Sequence, residues 1–340
     1  MTPQVSVIII TWNALPLLQR CFPSVAASTY PRLEIIVADN ASTDGSVTWI
    51  RQHFPEVRIV QHPRNWFFSR GNNEAIRKAR GEFVILLNND VEVSAGWIEP
   101  LVDALVATPD VGAAQPKMLQ YHERTQFEYA GAAGGFIDQY GYPFTRGRIF
   151  DVLEADAGQY DDRRDVFWAS GAAMALRREA LSASGLLDEQ FEMHMEEIDL
   201  CWRLHRNGYR VQIVPESQVY HLGGSSLPKG AARKTYYNFR NNLLMLYKNL
   251  SPQQWRRTFP RRALLDAMAA LRSIARGEGA TAGAVLRAYS DAHRMRRVYK
   301  HQRPPDGTPL PRHIYRGSIA AEHYLRGVRR FSELDEGRFT

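Results

Sequence analysis

Phe83-Val84-Ile85-Leu86-Leu87-Asn88-Asn89-Asp90 decides how this chain is read. Five apolar residues end abruptly in three short polar ones. That is the pattern of a buried parallel strand delivering its carboxyl end into a cleft. Ligands of open α/β sheets bind outside such strand ends. A polar triplet closing on a carboxylate suits a hard cation and the phosphates it carries. The same residues equally favour an ordinary Asn/Asp turn, so the rest of the chain has to choose.

The motif recurs upstream. Val5-Ser6-Val7-Ile8-Ile9-Ile10 is a β-branched run followed by Thr11-Trp12-Asn13. Residues 33–38 read as a second buried strand ending in Asp39-Asn40-Ala41-Ser42-Thr43-Asp44-Gly45-Ser46. Asp44 or Ser46 is the expected N-cap of a helix over 47–54. A third strand is expected over 57–61, a helix over 70–80 closed by Gly81, and another helix over about 97–107. This alternation within the first 110 residues predicts a mostly parallel sheet with helices on its faces. Beyond it, 111–116, 127–130, 166–176 and 210–214 are candidate strands, and 196–207 is a helix closed by Gly208. His221 leads into Leu222-Gly223-Gly224-Ser225-Ser226-Leu227, a flexible loop by composition. From about Arg233 the chain turns helical and basic, with breaks expected near Pro252, Pro260 and Pro304-Pro305.

Of the 340 residues, 44% are hydrophobic and 23% charged, which excludes a disordered or fibrous protein. Cys21 and Cys201 are distant in sequence and lack metal-ligand spacing, so a reducing compartment without disulfides is expected. No signal peptide is expected, and the most apolar helical stretch, 263–275, is broken by Asp266 and Arg272. The reading is therefore cytoplasmic, with a peripheral place on the inner face of the membrane as its extension. The net charge of +7 hides an asymmetry: residues 1–228 carry 20 Lys+Arg against 28 Asp+Glu, whereas 229–330 carry 22 against 5. A mildly acidic body with a strongly basic C-terminal third calls for an anionic surface, lipid or nucleic acid.

Three polar strand ends converge if the sheet is parallel: Thr11-Trp12-Asn13, Asp39-Asn40 and Asn88-Asn89-Asp90. Together they offer what a nucleotide needs, an acceptor for the base, donors for ribose and phosphate, and a cation site. The nearest glycine-rich stretch, Gly131-Ala132-Ala133-Gly134-Gly135, does not follow the first strand, so a dinucleotide fold is discounted. With residues 65–76, Ser170-Gly171-Ala172-Ala173-Met174, Glu196-Glu197-Ile198-Asp199-Leu200-Cys201-Trp202-Arg203 and His221, these ordered motifs resemble the family 2 inverting glycosyltransferases of GT-A fold. The pattern is closest to bacterial rhamnosyltransferase-like members that build cell-surface polysaccharide, and it covers about residues 4–250.

The resemblance implies a GT-A catalytic domain over 1–228, split into a nucleotide-binding half (about 1–110) and an acceptor half (111–228), with a helical basic extension over 229–340. It implies a nucleoside diphosphate sugar donor, Mg²⁺ or Mn²⁺, and a glycan or lipid-linked saccharide acceptor. Asp39 would hold the base, with Thr11, Asn13, Asn40, Arg70, Asn73, Asn88 and Asn89 around the donor. Asp90 would bind the metal with His221, and Glu197 or its neighbour Glu196 would be the catalytic base. An inverting transfer asks for one base and for neutralisation of the departing diphosphate, not for the paired acid and base of a glycosidase.

The chain departs from that pattern in places. Asn88 stands where Asp is frequent, Glu197 where Asp is commoner, and Trp66-Phe67-Phe68-Ser69-Arg70 where a small-residue turn is usual. Asp199 and Arg203 read as structural, and His194 and His205 as surface or helix-face residues. In the basic third, Arg256-Arg257, Arg261-Arg262 and Arg294-Arg296-Arg297 interleave with Trp255, Phe259 and Leu264-Leu265, which suits an anionic bilayer or an oligomer contact. Two rivals are a sugar-nucleotide nucleotidyltransferase, which would carry a basic Gly-rich loop after the first strand, and a nucleic-acid-binding protein, which would leave the strand-end carboxylates idle.

Overall fold

A computed structural model describes residues 2–223 and 232–340. The expected domain boundary at 228 and most of the loop after His221 lie outside the described residues. The described strands are β1 (Val5–Thr11), β2 (Leu33–Asp39), β3 (Arg58–Gln61), β4 (Phe83–Asn88), β5 (Val91–Val93), β6 (Val111–Gln120), β7 (Gly135–Asp138), β8 (Pro143–Thr145), β9 (Arg148–Ile149), β10 (Val152–Leu153), β11 (Arg164–Val166), β12 (Ala173–Arg177), β13 (Arg210–His221) and β14 (Ile314–Tyr315). The helices are α1 (Leu15–Ala26), α2 (Ser46–His53), α3 (Phe67–Lys78), α4 (Ile98–Ala107), α5 (Arg178–Ser184), α6 (Glu196–Arg206), α7 (Ala232–Asn249), α8 (Pro252–Ala275), α9 (Gly279–Met295) and α10 (Ile319–Leu325).

The main sheet runs β11-β13-β6-β12-β4-β1-β2-β3, with β5 added to β13. Its nucleotide half, β4-β1-β2-β3, is parallel throughout; β12 then enters antiparallel between β4 and β6, and β6 pairs parallel with β13. The alternation of side chains explains why these strands read as unbroken apolar runs. Ile8, Val84 and Leu86 feed one core, while Val7, Ile9, Ile85 and Leu87 feed the other across the sheet. Register then aligns the strand ends: Thr11 lies beside Asp39, and Ile10 beside Asn88.

Local signals were partly misread. Residues 127–130 form no strand, and 166–176 splits into β11 and β12 around the loop at 167–172. Gly81 is not the C′ residue of α3, which ends at Lys78. It is glycine because a Cβ there would lie 2.5 Å from the backbone nitrogen of Ser6 and from Phe83 O. Gly45, at φ 89°, precedes α2, and Asp44 accepts from the Ser46 N–H (3.0 Å) and from the Leu15 N–H (2.8 Å), tying the starts of α1 and α2 together. Pro260 does not end a helix either: α8 continues through it, with Trp255 and Arg262 buried on either side.

The C-terminal third is helical, as its composition indicates, but it does not trail behind the sheet. Leu243, Leu244, Met245 and Leu246 of α7 belong to the same core as Ile8 and Leu86. β14 pairs parallel with β7 and completes a small sheet, β10-β9-β8-β7-β14, built with the acceptor half. Among the described residues no helix is long and apolar enough to cross a membrane. Cys21 and Cys201 are buried free thiols.

Candidate active site

Where β4 ends, the chain turns through Asn89 and Asp90 into β5, which pairs antiparallel with the last residues of β13. His221 therefore sits opposite Val91, and the Leu222 N–H donates to Asp90 O at 3.0 Å. The same register places His221 Nε2 3.1 Å from Asp90 Oδ1, both side chains being buried. A third group joins them from residues 127–130, the expected strand that does not form: the Glu128 N–H donates to Met118 O, and its Oε1 lies 3.1 Å from His221 Nδ1. Burial would push the imidazole down, but Asp90 and Glu128 outweigh it and hold His221 well above its ordinary value. Burial likewise opposes the charge of Glu128, and the histidine overrides it and lowers the carboxyl.

Across the cleft, Glu196 and Glu197 open α6. The residues before them are bent into the left-handed region without any glycine: Glu192 (φ 63°), His194 (φ 68°) and Met195 (φ 72°). Two elements hold this strained turn. The N–H groups of Phe68 and Ser69, at the start of α3, both donate to Glu192 O at 3.0 Å. From α7, Asn241 Nδ2 reaches Phe191 O, Met193 O and His194 O at 2.8–2.9 Å, Arg240 donates to Phe191 O, and the Tyr237 hydroxyl binds Glu192 at 2.6 Å. Both glutamates face the cleft, and Oε2 of each lacks a hydrogen-bond partner among the described residues. Burial pushes the Glu197 carboxyl up to about 7, against its own and the neighbouring backbone N–H groups. Glu196, deeper in the protein, is raised well above its ordinary value by burial and by the neighbouring Glu197. Glu197 is thus the member that ionises near neutrality while keeping part of its side chain open to the cleft.

At the other end, Thr11, Trp12, Asn13 and Asn40 line the cleft next to Asn88 and Asn89. Asn89 Nδ2 donates to Thr11 Oγ1 at 3.1 Å, and Asn13 Oδ1 accepts from the Thr43 N–H at 2.7 Å. Asn40 ties β2 to the start of α3, accepting from the Trp66 N–H and donating to Phe67 O. Asp39, expected to hold the base, is fully buried outside the cleft lining, both oxygens 3.2 Å from the Ser42 nitrogen, so it shapes the loop beneath the cleft. Two more expected donor residues sit elsewhere. Asn73 is buried and its amide is spent on Leu187 and Glu189, bracing α3 against the segment before the strained turn. Arg70 stacks on Trp66 at 4.2 Å and lies 3.8 Å from Glu189, facing away from the cleft because it sits on the outer side of α3.

One continuous cleft of about 1740 Å³ runs from the strand ends to Glu196, Glu197 and the Asp90–His221 pair. A single small-molecule site occupies roughly 300–1,000 Å³, so there is room for two substrates side by side. Residues 6–184 match the family model described as "Glycosyl transferase family 2". The chain belongs to that family. An O-antigen biosynthesis protein of Myxococcus xanthus is 31% identical over 66% of this chain, which spans 18% of that relative's length. An N-acetylglucosaminyl-diphospho-decaprenol L-rhamnosyltransferase of Mycobacterium tuberculosis is 28% identical over 80% of this chain and 92% of its own. In fold, a Pyrobaculum calidifontis mannosyltransferase solved with GDP-Man and Mn²⁺ superposes with a TM-score of 0.52 at 18% identity, covering 89% of this chain and 84% of that one. GalNAc-T7, solved with UDP, GalNAc and Mn²⁺, gives 0.57 at 19% identity over 72% of this chain and 48% of its own. The fold is GT-A.

In this family 2 glycosyltransferase, sequence reasoning missed two lining groups. Glu128 sits in no recognisable motif, and only the pairing of β6 with β13 brings it to His221. His194 reads as a surface residue, yet it lines the cleft with burial pushing its imidazole down to about 4. Its place two residues before the paired glutamates is the signal that could have found it. Asp199 and Arg203 are structural as read: buried Asp199 pairs with Arg203 at 2.9 Å and with Lys248 of α7 at 2.8 Å. His205 is a half-buried helix-face residue of α6, its ring against Phe167 and its Nε2 2.8 Å from Phe167 O.

Proposed function

We propose that this glycosyltransferase moves one sugar, with inversion, from a nucleoside diphosphate donor to a glycan or lipid-linked acceptor in the building of bacterial cell-surface polysaccharide. One observation carries the reading: a carboxyl that ionises near neutrality, Glu197, shares a cleft with the buried Asp90–His221 pair at the strand ends. The mycobacterial relative, named for rhamnosyl transfer to a diphospho-decaprenol acceptor and matched over most of both chains, supports the acceptor class.

The donor's nucleotide lies over Thr11, Asn13 and Asn40, with the Trp12 ring, about half exposed, as a flat face for the base. Asp90 would offer an oxygen donor, and His221 Nε2 a nitrogen donor once the cation displaces the proton that Asp90 and Glu128 favour on the ring, with Glu128 on the second ring nitrogen orienting the imidazole. These residues fit Mg²⁺ or Mn²⁺. Among the described residues no third carboxylate, His or Cys completes a cage, so the donor diphosphate and water would supply the remaining ligands. The cation, when bound, neutralises charge on the departing diphosphate. Glu197 accepts the proton of the acceptor hydroxyl as that oxygen bonds to the anomeric carbon from the face opposite the diphosphate. The bond from the anomeric carbon to the diphosphate oxygen breaks, and the nucleoside diphosphate leaves with the electron pair.

The test is a screen of UDP, dTDP and GDP sugars with Mg²⁺ or Mn²⁺, following release of nucleoside diphosphate. Glu197→Gln is expected to bind donor and turn over at least a thousandfold more slowly. Release of pyrophosphate from a sugar phosphate and a nucleoside triphosphate would instead identify a nucleotidyltransferase. Activity that persists in Glu197→Gln and vanishes in Glu196→Gln would exchange the two roles.

A further inference from the structure

Of the residues expected to face a bilayer, Leu264 turns outward, whereas Trp255, Phe259 and Arg262, expected to turn outward with it, do not. Trp255 is buried and stacked on Phe259 (4.7 Å), and Arg262 lies inside, paired with Asp266 at 2.9 Å and donating to Tyr140 O. A different face is left uncovered. Leu264, Met268 and Leu271 recur at the i, i+4, i+7 spacing of one stripe along α8 and are 63%, 50% and 64% exposed. Arg272 of α8 stacks on Tyr324 of α10 at 4.6 Å, which brings Leu325, 83% exposed, beside the stripe. Isolated surface leucines need no explanation, but a row of them continued across two helices does.

The charge around that row says what covers it. Arg257, Arg261, Arg272 and Arg276 are exposed, and none has an ion-pair partner among the described residues. The one acidic residue of α8 is Asp266, which is buried and already consumed by Arg262. Glu322 of α10 is likewise buried and paired with Arg326 and Arg338. Apolar side chains fringed by unneutralised arginines, on a helix of about 36 Å, match the interface of a bilayer carrying anionic lipid. A soluble acidic partner would account for the arginines but not for four large apolar side chains held in water.

We infer that the α8–α10 face seats this protein on an anionic membrane surface, with Leu264, Met268, Leu271 and Leu325 dipping among the headgroups and the arginines on lipid phosphates. Met268, Arg272, Arg276 and Leu325 also form the outer rim of the active-site cleft. Docking would therefore turn the cleft mouth toward the lipid. That second consequence rests on the lipid-linked acceptor reading; the docking itself does not.

The full chain is tested by flotation with phosphatidylcholine vesicles and with vesicles containing about a third phosphatidylglycerol. Co-flotation with the anionic vesicles alone is expected, weakening at least tenfold between low and high salt. Leu264→Ser/Leu271→Ser should lose at least tenfold of that binding without a change in thermal melting or in turnover of a water-soluble acceptor. Equal binding of both vesicle types, or unaltered binding by the double variant, would overturn the inference. So would a dimer, in sedimentation without vesicles, that the double variant abolishes, since the face would then belong to a second copy. Turnover without vesicle binding would remove the membrane face and leave the transferase reading standing.

Discussion

At Glu197 the cost of function is visible in a single carboxyl. Its ordinary value of 4.5 is raised to about 7 by burial at the head of α6. Only the ionised form accepts a proton, so kcat/KM is expected to fall as pH drops through about 7, read from a pH profile with saturating metal. The sign for stability is opposite. Between 4.5 and 7 the folded state keeps a proton that the unfolded chain has lost, so this group's contribution to stability declines as pH rises through that window. Glu197→Gln cannot ionise, and its melting temperature should exceed that of the parent by roughly 2–6 °C at pH 8, by calorimetry. Inactivity without added stability would mean that Glu197 is not held under this penalty. Glu128 acts at one remove, through His221 Nδ1. Its replacement by Ala should raise the metal concentration for half-maximal activity by about 10–100-fold, measured by Mn²⁺ titration, with Glu128→Gln recovering part of the loss.

Among the elements, α7 decides whether the catalytic turn can exist. Three non-glycine residues at positive φ each cost about 1–3 kcal/mol unless their surroundings impose the conformation. Asn241 supplies that imposition by placing one amide among three carbonyls of residues 191–194. Asn241→Leu leaves Met193 O and His194 O without that donor, a loss of about 1–3 kcal/mol per orphaned group, while Phe191 O keeps its bond from Arg240. We expect a lower denaturation midpoint together with a lower kcat at unchanged donor KM, because the base moves while the strand-end nucleotide site does not. A donor KM that rose in step with the fall in kcat would place the effect in the β1–β2–β4 edge instead.

For the whole molecule, the two oppositely charged parts of the chain share one core. Leu243–Leu246 of α7 sit in the same core as the central strands, and β14 finishes a sheet begun at β7. A fragment ending at residue 222 would expose that core, and each large apolar side chain left uncovered costs about 1.5–3 kcal/mol. It should lack a cooperative thermal transition; a sharp one, with nucleotide binding, would show that the N-terminal two-thirds folds alone. The signals legible along the chain are local and periodic. Apolar strand runs ending in Thr11, Asn40, Asn88 and Asp90, and paired acids opening a helix, are written in neighbouring residues, and they were enough to reach the sheet, the family and most of the cleft. Asn73 and Arg70 were misplaced because a motif names a helix without naming which of its faces turns toward the ligand. Tertiary structure alone decided the rest: that β13 returns beside β5 to set His221 on Asp90 and Glu128, that α7 clamps the strained turn before Glu197, and that Leu264 rather than Trp255 faces outward. These depend on contacts across tens to hundreds of residues, where register and packing select the partner and adjacent residues carry no trace of it.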